Sequence, residues 1–254
     1  MKARSYFVRD RNALLVRGQF ESIYVDHYLH LMQHSIQLEA GQDQYLKDAI
    51  AAMTLHLASR PWNEVSAWTI HFQDPLLNVF VTGDSRLESV VGRVFSEDVK
   101  DSGSNLFLAQ VSEQPKPSRK SIVEFKTGNI FSIVEQFYEQ SEQRPVRLFR
   151  HSEEDIVLVC AQPQCDMEWF NDLTDEKIRE LDREEQLSLL ETRTYRYDCG
   201  CTIDRILPAL APLQKKDIKE IFEERDKLKV TCPRCAAVFY VTEADIADYR
   251  ARNR

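Results

Sequence analysis

Asp198-Cys199-Gly200-Cys201-Thr202 and Thr231-Cys232-Pro233-Arg234-Cys235-Ala236 are the two stretches that decide the fold of the last quarter of the chain. Thirty residues separate Cys201 from Cys232, so two short-spaced cysteine pairs supply four thiols. Four thiolates in such pairs are the ligand set of a structural tetrahedral zinc site. We therefore predict one Zn²⁺ per chain, bound by Cys199, Cys201, Cys232 and Cys235. The metal is either a permanent staple for a small terminal module or part of a switch that oxidation opens.

The composition indicates in which cellular compartment the protein works and which classes of partner it is not expected to bind. The 254 residues contain no N-terminal apolar signal segment and no apolar run near the roughly 20 residues that a membrane helix needs. We therefore expect a soluble, cytoplasmic protein without a membrane partner. Six cysteines are too few for a secreted disulfide scaffold, and paired cysteines in a reducing compartment are more often metal ligands or redox groups. The net charge of −8 argues against a nucleic-acid partner.

Residues 1–160 have the pattern of an α+β domain in which an antiparallel sheet packs with helices. Apolar runs between turn residues predict strands, with hairpin turns at Asp74-Pro75 and Gly83-Asp84-Ser85. A 3.6-residue period predicts helices, which we expect to cover one face of the sheet. The predicted strands are 14–16, 67–72, 76–81, 89–95, 106–111 and 122–125, and the predicted helices are 24–38, 44–58 and 130–143. A polar loop is predicted at 114–118.

The segment 161–196 is acidic and is predicted to be a linker. Its apolar residues are reduced to spaced positions such as Ile178 and Leu181. Thr174, followed by Asp175 and Glu176, predicts the cap and first turn of a short amphipathic helix. Such a helix needs tertiary packing to persist, and a solvated connector is the simplest interpretation of the composition.

Residues 197–254 form the predicted zinc module. The runs 228–231 and 238–241 predict two strands joined by a zinc-knuckle turn that contains Cys232 and Cys235. A helical stripe over 216–227 precedes them, and Thr242 with Asp245 predicts the capping box of a final helix. So short a segment buries too little apolar surface to be stable alone. A metal would therefore supply much of its folding free energy, on the order of 10 kcal/mol.

These motifs together resemble the 33 kDa heat-shock protein family of redox-regulated holdase chaperones. The C-terminal match is Tyr197–Cys201, the thirty-residue gap, and Val230–Cys235 followed by Phe239-Tyr240-Val241. An independent match is Gln136-Phe137-Tyr138-Glu139-Gln140-Ser141-Glu142-Gln143-Arg144-Pro145, which looks like the family's aromatic-rich helix ending in Ser-Glu-Gln. Weaker matches are Val16-Arg17-Gly18 and Gly92-Arg93-Val94. The stretch from Ser141 to Cys199 is shorter than the family's usual linker.

The resemblance implies a mechanism. In the family, the four cysteines bind zinc in the reduced, inactive protein. Oxidation links near neighbours, here Cys199 with Cys201 and Cys232 with Cys235, and releases the zinc. The terminal module and linker then unfold together and expose apolar surface that captures unfolding client proteins without ATP. The chain contains no Walker pattern, which agrees with ATP independence. The reduced protein is expected to be a monomer, with a homodimer left open for the oxidised form.

Two other functions remain open at this stage. A constitutive zinc-stapled interaction module would keep its metal under oxidant. A nucleic-acid-binding zinc knuckle is favoured only by the set Lys215, Lys216, Lys219, Lys227 and Lys229. Glu220, Glu223 and Glu224 interrupt that set, so a solvated helix face explains it better.

Other reactive residues have ordinary interpretations. His27, His30 and His34 share one helical face, a spacing that a metal site could use, although surface histidines are the favoured interpretation. Cys160 and Cys165 could form a third redox pair, but Cys160 ends an apolar run and is more typical of a buried small hydrophobe. The sequence indicates no enzyme active site.

Overall fold

A computed structural model describes residues 1–113, 115–223 and 225–253 of the chain. It confirms the predicted α+β class, with antiparallel sheets packed with helices and a small C-terminal module. The strands are β1 (Lys2–Val8), β2 (Ala13–Gln19), β3 (Glu64–Gln73), β4 (Leu76–Asp84), β5 (Ser89–Phe95), β6 (Leu106–Glu113), β7 (Arg119–Glu124), β8 (Val146–Arg150), β9 (Asp155–Ala161), β10 (Leu187–Thr194), β11 (Arg196–Tyr197), β12 (Leu228–Thr231) and β13 (Val238–Val241). The helices are α1 (Glu21–Gln33), α2 (Ala40–Ala58), α3 (Ile130–Phe137), α4 (Met167–Asn171), α5 (Asp175–Glu184), α6 (Ile203–Leu210), α7 (Lys215–Phe222) and α8 (Glu243–Arg252).

The strands of residues 1–197 form two sheets rather than the single sheet that we predicted. The first sheet has the order β10-β1-β2-β9-β8 and is antiparallel throughout. The second has the order β11-β5-β4-β3-β6-β7. Its strands β3, β4 and β5 form the predicted antiparallel meander, and β6 returns to pair with β3. The short strand β11 is parallel to β5.

Helix α2 lies between the two sheets, so the expectation that the helices cover one face of one sheet is wrong for this helix. It contacts β4 and β5 of the second sheet and β1, β2 and β9 of the first. Every residue from Ala49 to Ala58 is buried, which explains why its apolar residues are not confined to one stripe. The helix begins with a capping box between Glu39 and Gln42.

The acidic segment is packed on the first sheet rather than solvated. Helix α5 begins at the predicted cap, where the Thr174 side chain accepts a hydrogen bond from the Lys177 backbone N–H. Its Ile178 and Leu181 are buried against the outer face of the first sheet. The strand β10 then pairs with β1 along the edge of that sheet. The division of the chain into residues 1–160, 161–196 and 197–254 remains a prediction.

Helix α1 ends earlier than the predicted Leu38. Its last helical residue is Gln33, and Ser35 has a φ of 51°, in the left-handed region that interrupts a helix. The apolar residues that extended the predicted helix, Ile36 and Leu38, lie in the connection to α2.

The terminal module has the predicted strand-turn-strand unit and final helix. β12 and β13 pair in antiparallel register, with Leu228 opposite Val241 and Thr231 opposite Val238. The capping box of Thr242 and Asp245 is confirmed at the start of α8. The helices and strands enclose a small apolar cluster of Leu207, Ile218, Phe222, Val241 and Ile246.

Parts of two predictions lie outside the described residues. These are Gln114 in the predicted loop 114–118 and Glu224 in the predicted helix 216–227, along with the side chains of Lys215 and Lys219. Within the described part of the chain, helices that combine the length and hydropathy required to cross a bilayer are absent.

The position of α2 between the sheets leads to a stability prediction. The side chain of Ile50 is completely buried in α2, so Ile50→Ala should leave a cavity and lower the free energy of unfolding by about 2–5 kcal/mol. The matched control is Ile122→Ala in β7, because the side chain of Ile122 is 65% exposed. This substitution should lower the free energy of unfolding by less than about 1 kcal/mol. Urea denaturation followed by circular dichroism measures both. Equal losses in the two variants would contradict the buried position of α2.

Candidate metal centre

The first cysteine pair is positioned by a crossing of the chain between the two sheets. β10 ends at Thr194 in the first sheet, and Arg196 and Tyr197 already pair with Ser89 and Val90 of β5 in the second. Tyr195, between them, is completely buried. The next residues enter the Cys199-Gly200-Cys201 turn, where Gly200 has a φ of 61° and its N–H donates to the Asp198 side chain. Glycine adopts this left-handed conformation without a Cβ penalty.

The second pair is held in a tight knuckle between β12 and β13. The Cys232 N–H donates to the Ala237 carbonyl at 2.8 Å, and the Ala236 N–H donates to the Cys232 carbonyl at 3.0 Å. Ala236 has a φ of 62°, which reverses the chain. Because these backbone bonds close the turn, Cys232 and Cys235 direct their sulfurs to the same point, as the sequence predicted.

The structure brings all four predicted cysteines together. Their sulfur atoms lie within 4.8 Å of one another, with 3.7 Å between the sulfurs of Cys199 and Cys232 and 3.4 Å between those of Cys201 and Cys235. Four sulfurs at about 2.3 Å from a tetrahedral ion would be separated by about 3.8 Å. The cluster therefore has the donor set and the size to hold a metal ion. Within the described residues, it is the one group of three or more potential ligand residues close enough to do so.

The proton equilibria of the cluster favour a cation at its centre. Hydrogen bonding with the Cys232 sulfur raises the pKa of Cys199 to about 12. Hydrogen bonds with Cys199 and Cys232 raise the pKa of Cys235, and burial raises the pKa of Cys201. Donation from Cys199 and Cys235 lowers the pKa of Cys232. The cluster thus stabilises one thiolate, and four adjacent thiolates need a positive ion to offset their mutual repulsion.

Side chains of the first 160 residues fix the knuckle from outside. His30 Nε2 lies 2.8 Å from the Cys235 carbonyl oxygen, so it is the donor of this bond. Arg93 donates from Nη1 to the Cys232 carbonyl at 2.9 Å, and its guanidinium stacks 4.0 Å from the centre of the Phe95 ring. The Tyr197 hydroxyl donates to the Gly92 carbonyl at 3.1 Å. Both carbonyls of the second cysteine pair are therefore tied to the α+β core.

The two histidines of α1, His27 and His30, and His34 directly after it are not the surface residues that we favoured. His27 is completely buried, and its Nε2 lies 3.1 Å from Asp43 Oδ1. His27 and His30 both pack edge-on against the Tyr197 ring, and His34 lies beside Phe239 of the knuckle. They form the contact between α1 and the cysteine module rather than a metal site. The sequence showed that the histidines share one helical face, but it did not show that this face contacts Tyr197 and Phe239.

Cys160 and Cys165 are separated by the first sheet. Cys160 is buried in the main core between the sheets, whereas Cys165 packs in the cluster on the outer face, next to the acidic segment. Burial raises the pKa of Cys160 to about 11, which agrees with its interpretation as a small hydrophobe. All six cysteines are free thiols in the structure.

The two halves of the cluster differ in exposure. Cys232 and Cys235 are buried, whereas Cys199 and Cys201 are only partly buried. The latter two line a cleft of about 620 Å³ between α1 and the module, with His30, His34 and Phe239 on the other walls. A small reagent therefore reaches the first cysteine pair from solvent more readily than the second.

Comparison with known proteins shows what this arrangement is similar to. A sequence model described as Hsp33 protein matches residues 150–242, which include all four cysteines of the cluster. The 33 kDa chaperonin of Proteus mirabilis is 23% identical over 281 residues, covering 96% of this chain and 94% of the relative. The 33 kDa chaperonin of Edwardsiella ictaluri is 22% identical, covering 94% and 92%.

The fold agrees over the whole length. The crystal structure of the 33 kDa chaperonin (heat shock protein 33 homolog) of Thermotoga maritima superimposes with a TM-score of 0.75 at 16% identity, covering 99% of this chain and 98% of that one. The fold and the site thus define a class of proteins with an α+β core and a four-cysteine terminal module. The chain is thus similar to Hsp33 proteins in sequence over residues 150–242 and in fold over its whole length, in agreement with the resemblance that its motifs indicated.

The difference in exposure predicts which sulfurs react first. With a sub-stoichiometric amount of N-ethylmaleimide, the reduced protein should carry at least about threefold more label on Cys199 and Cys201 than on Cys232 and Cys235, because the reagent must reach the sulfur. Peptide mass spectrometry measures the distribution. Because the first modification disturbs the site, only singly labelled molecules are counted. Equal labelling of the two pairs would show that the cleft does not control access.

The outside contacts predict that Arg93 stabilises the module. Arg93→Gln removes a charge-assisted hydrogen bond to the Cys232 carbonyl, and should cost about 1.5–3 kcal/mol of the free energy for local opening of residues 228–241. Hydrogen exchange of that segment, followed by mass spectrometry, measures the change. Arg86→Gln serves as the control, because Arg86 is exposed and lies away from the knuckle. Unchanged exchange in Arg93→Gln would contradict the proposed stabilisation.

Proposed function

We propose that this chain is a redox-regulated, ATP-independent holdase chaperone that is inactive when reduced and active when oxidised. The observation that carries the proposal is the four-cysteine cluster, which lies in the part of the chain that is similar to Hsp33 proteins. The relatives named above are chaperonins by their descriptions, and a chaperone of this class binds unfolded proteins as clients. No substrate is chemically transformed in this function, so the protein is not expected to be an enzyme.

We assign zinc to the cluster, bound by Cys199, Cys201, Cys232 and Cys235. A set of four sulfur ligands near tetrahedral spacing suits Zn²⁺, which has no redox chemistry of its own and accepts thiolate ligands readily. When bound, zinc would hold all four sulfurs as thiolates near neutral pH. The carbonyl contacts from His30 and Arg93 would keep the second pair in place around the ion.

The chemistry of the switch is thiolate oxidation. A thiolate of the set attacks an oxygen of hydrogen peroxide, an S–O bond forms, the O–O bond breaks, and hydroxide leaves. A second thiolate then attacks this sulfenic sulfur, the S–S bond forms, and a second hydroxide leaves with the electrons of the S–O bond. Two thiolates have then been oxidised by two electrons in total. The family pattern assigns the disulfides to Cys199–Cys201 and Cys232–Cys235, and each removes two ligands from the metal.

Loss of the ligand set would destabilise the module. Its own apolar cluster is small, so much of its folding free energy would depend on the metal. In this proposal residues 197–254 form the switch, and the acidic segment 161–196 links it to the 1–160 core. That segment contains α5 and β10, which cover the outer face and one edge of the first sheet. Unfolding of the segment would uncover apolar surface on that sheet for clients.

The setting that suits this switch is a reducing compartment such as the cytoplasm, where free thiols persist until an oxidant is present. The reduced protein is proposed to be a monomer. A constitutive zinc-stapled interaction module is the alternative, and it differs in keeping its metal and its binding activity unchanged under oxidant.

Metal content tests the ligand assignment. The reduced protein should contain about one zinc per chain by elemental mass spectrometry, and Cys199→Ser should lose most of it because three ligands bind far more weakly. Cys165→Ser is the matched control, since Cys165 lies outside the cluster, and it should keep the metal. A variant Cys199→Ser with full zinc content would contradict the assignment.

Peroxide treatment tests the switch. Oxidised protein should release its zinc to a colorimetric chelator and suppress the light scattering of a heat-denatured reporter enzyme, because the disulfides remove the ligands and the module unfolds. The reduced protein should do neither. Zinc retained under peroxide, together with unchanged client binding, would favour the constitutive module. Zinc release without any suppression of aggregation would refute the chaperone function.

A further inference from the structure

Helix α1 has two apolar faces, of which only one is covered. Val25, Tyr28, Leu29 and Met32 have 50%, 59%, 56% and 63% of their surface exposed. Their positions i, i+3, i+4 and i+7 place them in one continuous stripe along the helix. Single exposed apolar residues are ordinary on a protein surface, but four large ones in one stripe are typical of an interaction site.

The opposite face of the same helix meets the cysteine module. His27 and His30 pack against Tyr197, and His30 also hydrogen-bonds to the Cys235 carbonyl. Leu29, a member of the exposed stripe, lines the cleft that also contains Cys199 and Cys201. The stripe is therefore continuous with the edge of the contact between the core and the module.

The charges on α1 restrict what the stripe can bind. The helix carries Glu21 and Asp26 and contains no lysine or arginine between Glu21 and Gln33. Its only basic groups are His27 and His30, which face the module. The groups that α1 itself places beside the stripe are thus acidic; Arg196 lines the cleft beside Leu29 and the Met1 amine lies near Asp26, which leaves the exposed Glu21 as the acidic group beside the stripe, in a chain with a net charge of −8. Cationic partners are attracted to such a group, and acidic partners are repelled.

We propose that the stripe Val25-Tyr28-Leu29-Met32 is a docking site for apolar segments of unfolded proteins that carry lysine or arginine beside the apolar residues. This inference rests on the proposed chaperone function and assigns it a surface and a partner chemistry. The apolar side chains of the segment cover the stripe, and its cationic side chains lie near the exposed Glu21. When the module leaves the other face of α1, His27 and the neighbouring apolar surface are uncovered as well, so the oxidised protein binds such a segment more tightly.

Direct binding of a peptide tests the site without an aggregation assay. The probe is a short fluorescein-labelled peptide of leucine and lysine, with a twin in which glutamate replaces lysine, and fluorescence anisotropy is measured with reduced and with oxidised full-length protein. The leucine–lysine peptide should bind, and the leucine–glutamate twin should bind at least about tenfold more weakly. Failure of the first peptide to bind either form, or equal binding of the two peptides, would overturn the proposal.

Matched variants locate the peptide. Tyr28→Gln with Met32→Gln removes two side chains that are 59% and 63% exposed, and should weaken the peptide about tenfold. The control is Leu87→Gln with Ile122→Gln, two side chains that are 61% and 65% exposed elsewhere on the molecule. Glutamine is acceptable in a helix and all four positions face solvent, so both double variants should fold, which circular dichroism verifies. Equal weakening in the two double variants, or none in the first, would overturn the site.

Two further readouts separate this inference from competing explanations. Sedimentation velocity shows whether the stripe instead joins two copies of the chain, and a loss of dimer in Tyr28→Gln with Met32→Gln, without a change in peptide affinity, would overturn the client site. Aggregation assays address the proposed function separately. If the peptide binds the stripe while the oxidised protein fails to suppress aggregation, the docking site is retained and the chaperone function is refuted.

Discussion

One helix shared by two sheets is the constraint on which the rest of the molecule depends. Because α2 is buried from Ala49 to Ala58 and contacts strands of both large sheets, it covers part of the inner face of each sheet. The outer face of the first sheet is covered by the acidic segment through Ile178 and Leu181. The edge of the second sheet is extended by the two residues of β11, which lead directly to Cys199. The first cysteine pair of the cluster therefore follows directly from a strand that belongs to the second sheet.

The Ser-Glu-Gln motif that contributed to the family resemblance has a packing role in the structure. Helix α3 ends at Phe137, and the residues Tyr138–Glu142 form a π-helical turn that Gln143 terminates with a φ of 52°. Within this turn Tyr138 is completely buried, and its hydroxyl lies 2.5 Å from Nδ1 of His56 in the last turn of α2. Burial lowers the pKa of His56 well below its usual value, so this histidine stays neutral and acts as a hydrogen-bonding group. The Glu142 carboxylate accepts from Arg60 at the end of α2. The π-helical turn thus brings the Tyr138 hydroxyl and the Glu142 carboxylate within hydrogen-bonding distance of His56 and Arg60.

Local patterns were sufficient for the site but not for the whole fold. The spacing of Cys199, Cys201, Cys232 and Cys235 encodes the cluster, and the caps at Thr174 and Thr242 encode the starts of α5 and α8. The second sheet follows largely from neighbouring strands joined by short turns. The first sheet could not be derived in this way, because β1 and β10 lie at opposite ends of its sequence span and β10 directly follows the acidic helix α5, in the segment that its composition predicted to be a linker. The partner of the histidine face of α1 is likewise a residue far away in sequence, Tyr197, which no periodicity can identify.

The pairing of β1 with β10 also determines the order in which the molecule can be completed during synthesis. Lys2 pairs with Thr194, so β1 obtains its outer neighbour only after almost two hundred further residues have been synthesised. Until then the strand has an open edge, which is a template for pairing with other chains. Closure of this edge and arrival of Cys199 at the core occur within a few residues of each other. A nascent chain thus protects its own most vulnerable strand at the point in translation at which it acquires the first cysteine of the cluster.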